Sequence, residues 1–381
     1  MPLSIQLDSN LFRTPLEGDH PCGINLQGDE KARALRSSLR DLREEARRIE
    51  RHADDGDASE GGWPAAVVIW RQLRDKSLEV LTKQSRDTSV AALCIEALSR
   101  TDGFAGLAAG FDMTRAMIEG TWDHLYPIPD PEDGPAEPAT ILEERIMPIV
   151  RLVGLDSEGL IIPAIQHIPL TADRSGDTLG LCHWKSSLDL AHENDAEKIQ
   201  LAVSRGAVSP AQFSQAVQST SLDFLKATYL EIKAAEQSWE ALCQSVYDAS
   251  AGAGVVPASP IRVLFEECET AIRTFAPQAI PVDPKAESSQ SGATGSTEAT
   301  GVDGSQATPG GREEAFRQLE SIAGFFDRHD PHSLIAAQIR NVVRLGRLSR
   351  ADYFRELIAD ESALKSMFKF VGIEAPPPGS P

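Results

Sequence analysis

The stretch DEKARALRSSLRDLREEARRIERH, Asp29 to His52, decides the fold class. Leu35, Leu39, Leu42, Ala46 and Ile49 recur at steps of three and four, and Arg and Glu fill the remaining positions. Only a helix gathers such a pattern on one face, so the segment reads as an amphipathic surface helix.

The same period continues outward. The acidic run Asp54-Asp55-Gly56-Asp57 breaks the first helix, and Trp63-Pro64 opens a second, with Pro64 suited to a first turn. That helix carries Val67, Trp70, Leu73, Leu78 and Leu81. A third is expected from Thr88 to Arg100. Gly103 starts a fourth, which runs through Phe104, Leu107, Phe111, Met117 and Ile118 to Trp122-Asp123-His124-Leu125-Tyr126-Pro127. Residues 1–28 read as irregular, and the Pro- and acid-rich run from Pro127 to Pro138 reads as a boundary. A first helical domain is expected over 8–130.

A middle helical domain is expected over 139–276. Ile141 to Leu155 reads as one helix, whereas Leu160 to Leu170 fits either a short buried strand or an extended segment. From Leu225 to Tyr247, Leu225, Ile232, Trp239 and Val246 fall seven apart, with Thr228, Ala235 and Leu242 between them. Such a stripe serves antiparallel helix packing, either in a hairpin with Ile261–Phe275 or in a dimer seam.

Residues 282–311 hold no Leu, Ile, Met or aromatic side chain. They cannot bury enough apolar surface to offset chain entropy, so a disordered linker is expected over 277–311. Beyond it, Phe316, Leu319, Ile322, Ala323 and Phe326 resume the helical period. Further runs carry Ile335, Ile339, Val342 and Val343, then Leu364, Met367, Phe368 and Val371. The expected fold is therefore mainly α: a helical N-terminal domain, a helical-hairpin middle region, a disordered linker and a small helical bundle over 312–374.

Composition narrows the function. The 381 residues carry 37 basic and 57 acidic side chains, a formal net charge of −20. Such a surface repels phosphate backbones and anionic lipid, which argues against nucleic-acid binding. Arg312 to Pro381 hold equal numbers of acids and bases, so the whole excess lies before them. The five cysteines, Cys22, Cys94, Cys182, Cys243 and Cys268, are odd in number and scattered, which fits reduced thiols in the cytoplasm. No signal peptide and no membrane span are expected.

The chain offers no catalytic motif, and neither a cofactor nor a metal is expected. His192-Glu193 begins like a zinc-protease signature, but Ala196 stands where the second histidine belongs. Asp55, Asp57 and Ser59 mimic a calcium loop, yet Glu60 and Ala66 replace its glycine and glutamate. His329 and His332 flank Asp330-Pro331, too few ligands for a structural zinc. One cluster points to an interface. Arg340, Arg344 and Arg347 share one side of a helix, in the region without excess negative charge. They form either a solvated face with local pairs or, with Phe354 and Phe368, an oligomer or partner interface.

Several stretches carry a family likeness. They are Pro21-Cys22-Gly23, Leu42-Arg43-Glu44-Glu45-Ala46-Arg47, Trp63-Pro64, Ala91 to Leu98, Asp102 to Leu107, and Trp122 to Pro127. Ile168-Pro169-Leu170-Thr171, Leu222-Asp223-Phe224-Leu225, Ala315 to Leu319, Phe325-Phe326 and Asp330 to Ser333 extend the likeness. Together they resemble the ImpA/TssA family of the bacterial type VI secretion system, in its branch with a short C-terminal domain. The resemblance implies a non-enzymatic component of a contractile apparatus. It implies partners among baseplate, sheath, inner-tube and membrane-complex proteins, and self-association into a ring through the C-terminal domain. It also implies a cytoplasmic protein recruited to the membrane-attached machine. The rival expectation is an adaptor or regulatory helical module that binds a single partner without building a ring.

Overall fold

Asp8 accepts a hydrogen bond from the backbone of Asn10 at 2.9 Å and so caps a short first helix, α1 (Ser9–Arg13). This helix lies in the region expected to be irregular, and it buries Phe12. The periodic segments then become helices close to their expected limits: α2 (Glu30–Asp54), α3 (Gly62–Lys83), α4 (Thr88–Thr101) and α5 (Gly103–Thr121). Pro64 sits in the first turn of α3, where a missing N–H costs nothing. Asp87 caps α4, accepting from the backbone of Ser89 at 2.7 Å. The computed structural model describes residues 7–281 except 55, 57–58, 60, 130–135, 155–158, 173–177, 194 and 205, and then 316–317, 319–320, 323 and 335–348. Its contacts divide the chain into two units, Met1–Ser291 and Gly292–Pro381.

In the first unit, α2 packs on α3, α3 on α4 and α4 on α5. The chain continues through α6 (Pro138–Val153), which lies against α4. The segment read as strand or extended chain holds a helix, α7 (Ile162–His167), because Pro163 fits its first turn. Only then does a two-residue strand follow, β1 (Thr171–Ala172), antiparallel to β2 (Thr178–Leu179). Three further helices come next: α8 (Leu181–His192), α9 (Ala196–Ser204) and α10 (Pro210–Ser219). The long α11 (Leu222–Ala249) and α12 (Ser259–Phe275) complete the body.

The heptad-like stripe is filled within this chain. Leu225, Ile232, Ala235, Trp239, Leu242 and Val246 are all buried. Helix α11 does lie against α12, as a hairpin requires, but its most extensive partner is α5. The indole of Trp239 tilts over Phe111 of α5 with centroids 5.1 Å apart, and Ser238 donates to Asp112 at 3.1 Å. Phe104 of α5 likewise meets Phe265 of α12 at 6.3 Å. The segments 8–130 and 139–276 therefore share a single apolar core. Pro277–Ala279, placed in the linker by composition, forms a 3-10 turn against α11 and α12 and buries Ala279. Residues 282–311 lie outside the described residues.

The N-terminal segment is fastened by backbone contacts. Ile24 donates to the Gln84 carbonyl at 2.9 Å, and Arg86 donates its backbone N–H to Cys22 at 2.9 Å. Gly23 sits between them at φ +72°, and a Cβ there would fall 2.1 Å from the Gln84 oxygen. Only glycine fits this approach. In the second unit the described helix is α13 (Ile335–Arg347), which buries Ala336 and Val343. Most of the expected C-terminal bundle lies outside the described residues.

Candidate interaction surface

The family-like stretches of the first unit build its interior. Arg43 of α2 donates Nε–H to Glu96 of α4 at 2.6 Å. Glu50 of α2 receives Arg100 Nε of α4 and Trp70 Nε1 of α3, each at 2.6 Å. The Arg100 guanidinium lies over the Trp70 ring at 4.3 Å. Glu50 is 2% exposed and Glu96 is fully buried. Charges so deep persist only when paired and hydrogen-bonded, and here carboxylate, guanidinium and indole satisfy one another. Arg74 reaches Asp102 at the α4–α5 junction at 2.9 Å. These charged side chains thus serve as pins between helices.

Two further buried arginines meet carbonyls. Arg86 donates to Leu11 O at 2.5 Å, to Thr14 O at 3.2 Å and to Leu81 O, and lies over Phe12. Arg145 donates to Leu125 O at 2.7 Å and to Asp123 O at 2.9 Å, fixing the Trp122–Pro127 stretch, whose Tyr126–Pro127 bond is cis. Burial lowers the pKa of both guanidiniums.

The expected interface residues fall in the second unit. Arg340, Arg344 and Arg347 are exposed on α13 and border one open depression with Val343, Leu348 and Glu320. Arg347 pairs with Glu320 at 2.8 Å and lies over the Phe316 ring at 5.5 Å. Arg344 donates to the Asn341 side chain at 2.9 Å. A face of this kind offers forked donors to carboxylates on a partner while its apolar side stays inward. Phe354 and Phe368 lie outside the described residues, as do His329, His332, Asp55, Asp57 and Glu60. Among the described residues, no three His, Cys, Asp or Glu side chains converge to hold a metal. No described helix is long and apolar enough to cross a membrane.

The fold and its charged pins define a mainly α protein with an arginine-bearing helix face outside the main core. Residues 13–154 match the family described as ImpA, N-terminal, type VI secretion system. Over 360 residues the chain is 25% identical to type VI secretion system component TssA1 of Pseudomonas aeruginosa, spanning 93% of this chain and 96% of that one. The fold is similar to the N-terminal domain, including the ImpA_N region, of the TssA component from Burkholderia cenocepacia. That match has a TM-score of 0.54 at 21% identity and covers 72% of this chain and 96% of the other. The resemblance to the ImpA/TssA family read from the motifs is thus shown, with residues 13–154 as its ImpA N-terminal region.

Proposed function

We propose that this chain is a non-catalytic, structural component of a type VI secretion system that helps its contractile tail to assemble. The observation that carries this reading is the similarity to TssA1 along 93% of the chain, well beyond the ImpA N-terminal region alone. In finer terms, the protein associates with the baseplate and coordinates tube and sheath growth as a multi-subunit ring. Residues 312–374 supply the ring contacts, with Arg340, Arg344, Arg347, Phe354 and Phe368 at the interface.

The charge distribution is consistent with this division of labour. The acidic excess lies before Arg312. A neutral tail region can gather copies without mutual repulsion, while many weakly binding acidic bodies gain avidity from their shared scaffold. In the cytoplasm, such a particle would be recruited to the membrane-attached machine through protein contacts. Negative-stain microscopy of the full chain tests the proposal. Closed multi-subunit particles are expected, and a field of single particles or pairs would favour the single-partner adaptor.

A further inference from the structure

His20 opens a tight turn in the N-terminal segment. Gly23 donates its backbone N–H to the His20 carbonyl at 2.9 Å, with Pro21 at the second position of the turn. Inside that turn the Cys22 backbone N–H donates to Nδ1 of the His20 ring at 3.2 Å. The Ile24–Gln84 and Arg86–Cys22 bonds then hold the turn on the α3–α4 junction. The junction in turn holds the Trp122–Pro127 stretch, where Tyr126 donates its backbone N–H to the Arg86 carbonyl at 3.0 Å.

The His20 ring also touches that stretch directly. It stacks on Tyr126 with centroids 5.1 Å apart and planes 27° from parallel. The Tyr126 hydroxyl lies 3.4 Å from Nδ1 and 3.4 Å from the Gly23 carbonyl. The His124 ring meets His20 edge-on, centroids 5.6 Å apart. Tyr126 is buried, His20 half-buried and His124 exposed.

These contacts require a neutral imidazole. A backbone N–H only donates, so Nδ1 must keep its lone pair and the ring proton sits on Nε2. The imidazolium carries a proton on both nitrogens and has no acceptor left for Cys22. It also places a cation beside His124, which charges over the same pH range. The Tyr126 face attracts a cation, but the lost acceptor, burial and His124 all act the other way. Burial first, and repulsion by His124 second, hold the His20 imidazole below its ordinary 6.5.

The surrounding charges offer little relief. Glu17 and Asp19 in the same segment and Asp123 beside His124 are exposed, where solvent screens them. At the end of α5, Glu119 is paired with Arg13 and with Arg115. Arg86 and Arg145 add positive charge behind Cys22, whose thiol burial keeps raised. Asp87 is fully buried at the cap of α4, with its own pKa raised by burial.

We propose that His20 is an acid-sensitive latch: when Nδ1 takes a proton, the ring lets go of the Cys22 N–H, is repelled by His124, and frees the His20–Ile24 turn from the α3–α4 junction and the Trp122–Pro127 stretch. The docked turn has the lower histidine pKa. Its stability is therefore complete above the ordinary 6.5 and is lost as pH falls through the docked value.

The test is backbone hydrogen exchange of the full chain at about pH 7.5 and about pH 5.5, corrected for the intrinsic pH dependence of exchange. A peptide covering residues 22–26 is compared with one covering residues 232–242 of α11. In wild type the first should lose protection by roughly threefold or more on acidification while the second holds. His20→Asn keeps a short acceptor near the place of Nδ1 and does not titrate, so its turn should stay protected at both pH values. His124→Gln removes the repulsion, brings the docked pKa closer to the released one, and should shrink the loss. Imidazole resonances of wild type, with His20 assigned by its absence from His20→Asn, should show it titrating below 6.5. Equal protection of the turn at the two pH values in wild type would overturn the proposal. So would the same acid loss in His20→Asn, a loss shared by the α11 peptide, or a His20 midpoint at or above 6.5.

Discussion

Trp239 of α11 rests on Phe111 of α5 at 5.1 Å and donates its indole N–H to the Ala258 carbonyl at 3.1 Å. One side chain thereby links the fourth helix of the ImpA region, the long middle helix and the approach to α12. Trp239→Ala should cost about 3–5 kcal/mol, since it removes a fully buried aromatic and its stacking partner's contact. Because the core is continuous, residues 7–281 should still unfold in one transition. Chemical denaturation followed by far-UV and by tryptophan fluorescence checks this, and two separated transitions would contradict it.

Glu50 is the hub of the buried ionic group. Glu50→Ala would leave Arg100, whose side chain is 4% exposed, without its 2.6 Å partner and would orphan the Trp70 N–H. The expected loss is about 3–5 kcal/mol. Glu50→Gln keeps an acceptor for Trp70 and should lose less. Urea midpoints of the two variants provide the comparison.

Asp87 caps α4 from a fully buried position. Burial raises its pKa above the ordinary 3.8, against hydrogen bonds from Ser89 and the charge of Arg36. A raised folded-state pKa contributes stability that is complete below the unfolded value and is lost as pH rises through the folded one. Above that folded value the contribution is gone. Asp87→Asn keeps the cap and removes the titration, so it should flatten the pH dependence of stability on the acid limb. Asp87→Ala should cost about 1 kcal/mol or more. Thermal melts across the acid range separate the two.

The arginine face of α13 is tested by charge reversal. Arg344→Glu with Arg347→Glu also turns the Arg347–Glu320 attraction into repulsion. If this face meets another copy, the double variant should shift sedimentation of the full chain toward smaller species. An unchanged particle size would remove the face from the interface.

Much of the fold is legible in the residue pattern, and the reason is length. Helices α2 to α5, α6, α11 and α12 each span several turns, so their period emerges from the sequence. The helices from α7 to α10 are shorter and mixed in polarity, and their signals are caps. Ser209 and Gln212 form a reciprocal capping box at α10, and Pro163 and Pro210 mark first turns. Those cues were present and carried no period. The pairing of α11 with α5 joins segments more than a hundred residues apart, and no local pattern encodes it. Arg344 and Arg347 stand out by spacing alone. His167 and His183 do not, because only the α7–β1–β2–α8 path brings their rings within 6.0 Å of each other.

Arg86 contacts carbonyls from α1, from the chain just after it and from α3, and Arg145 contacts two in the Trp122–Pro127 stretch. Asp123 attracts Arg145, but among the described residues neither guanidinium hydrogen-bonds a carboxylate, so each leans on those carbonyls. A partly assembled body would strand a positive charge among oily neighbours. The amino-terminal strap and the crossing loop consequently act as a proofreading step, favouring the finished body over near misses in which one segment has failed to dock.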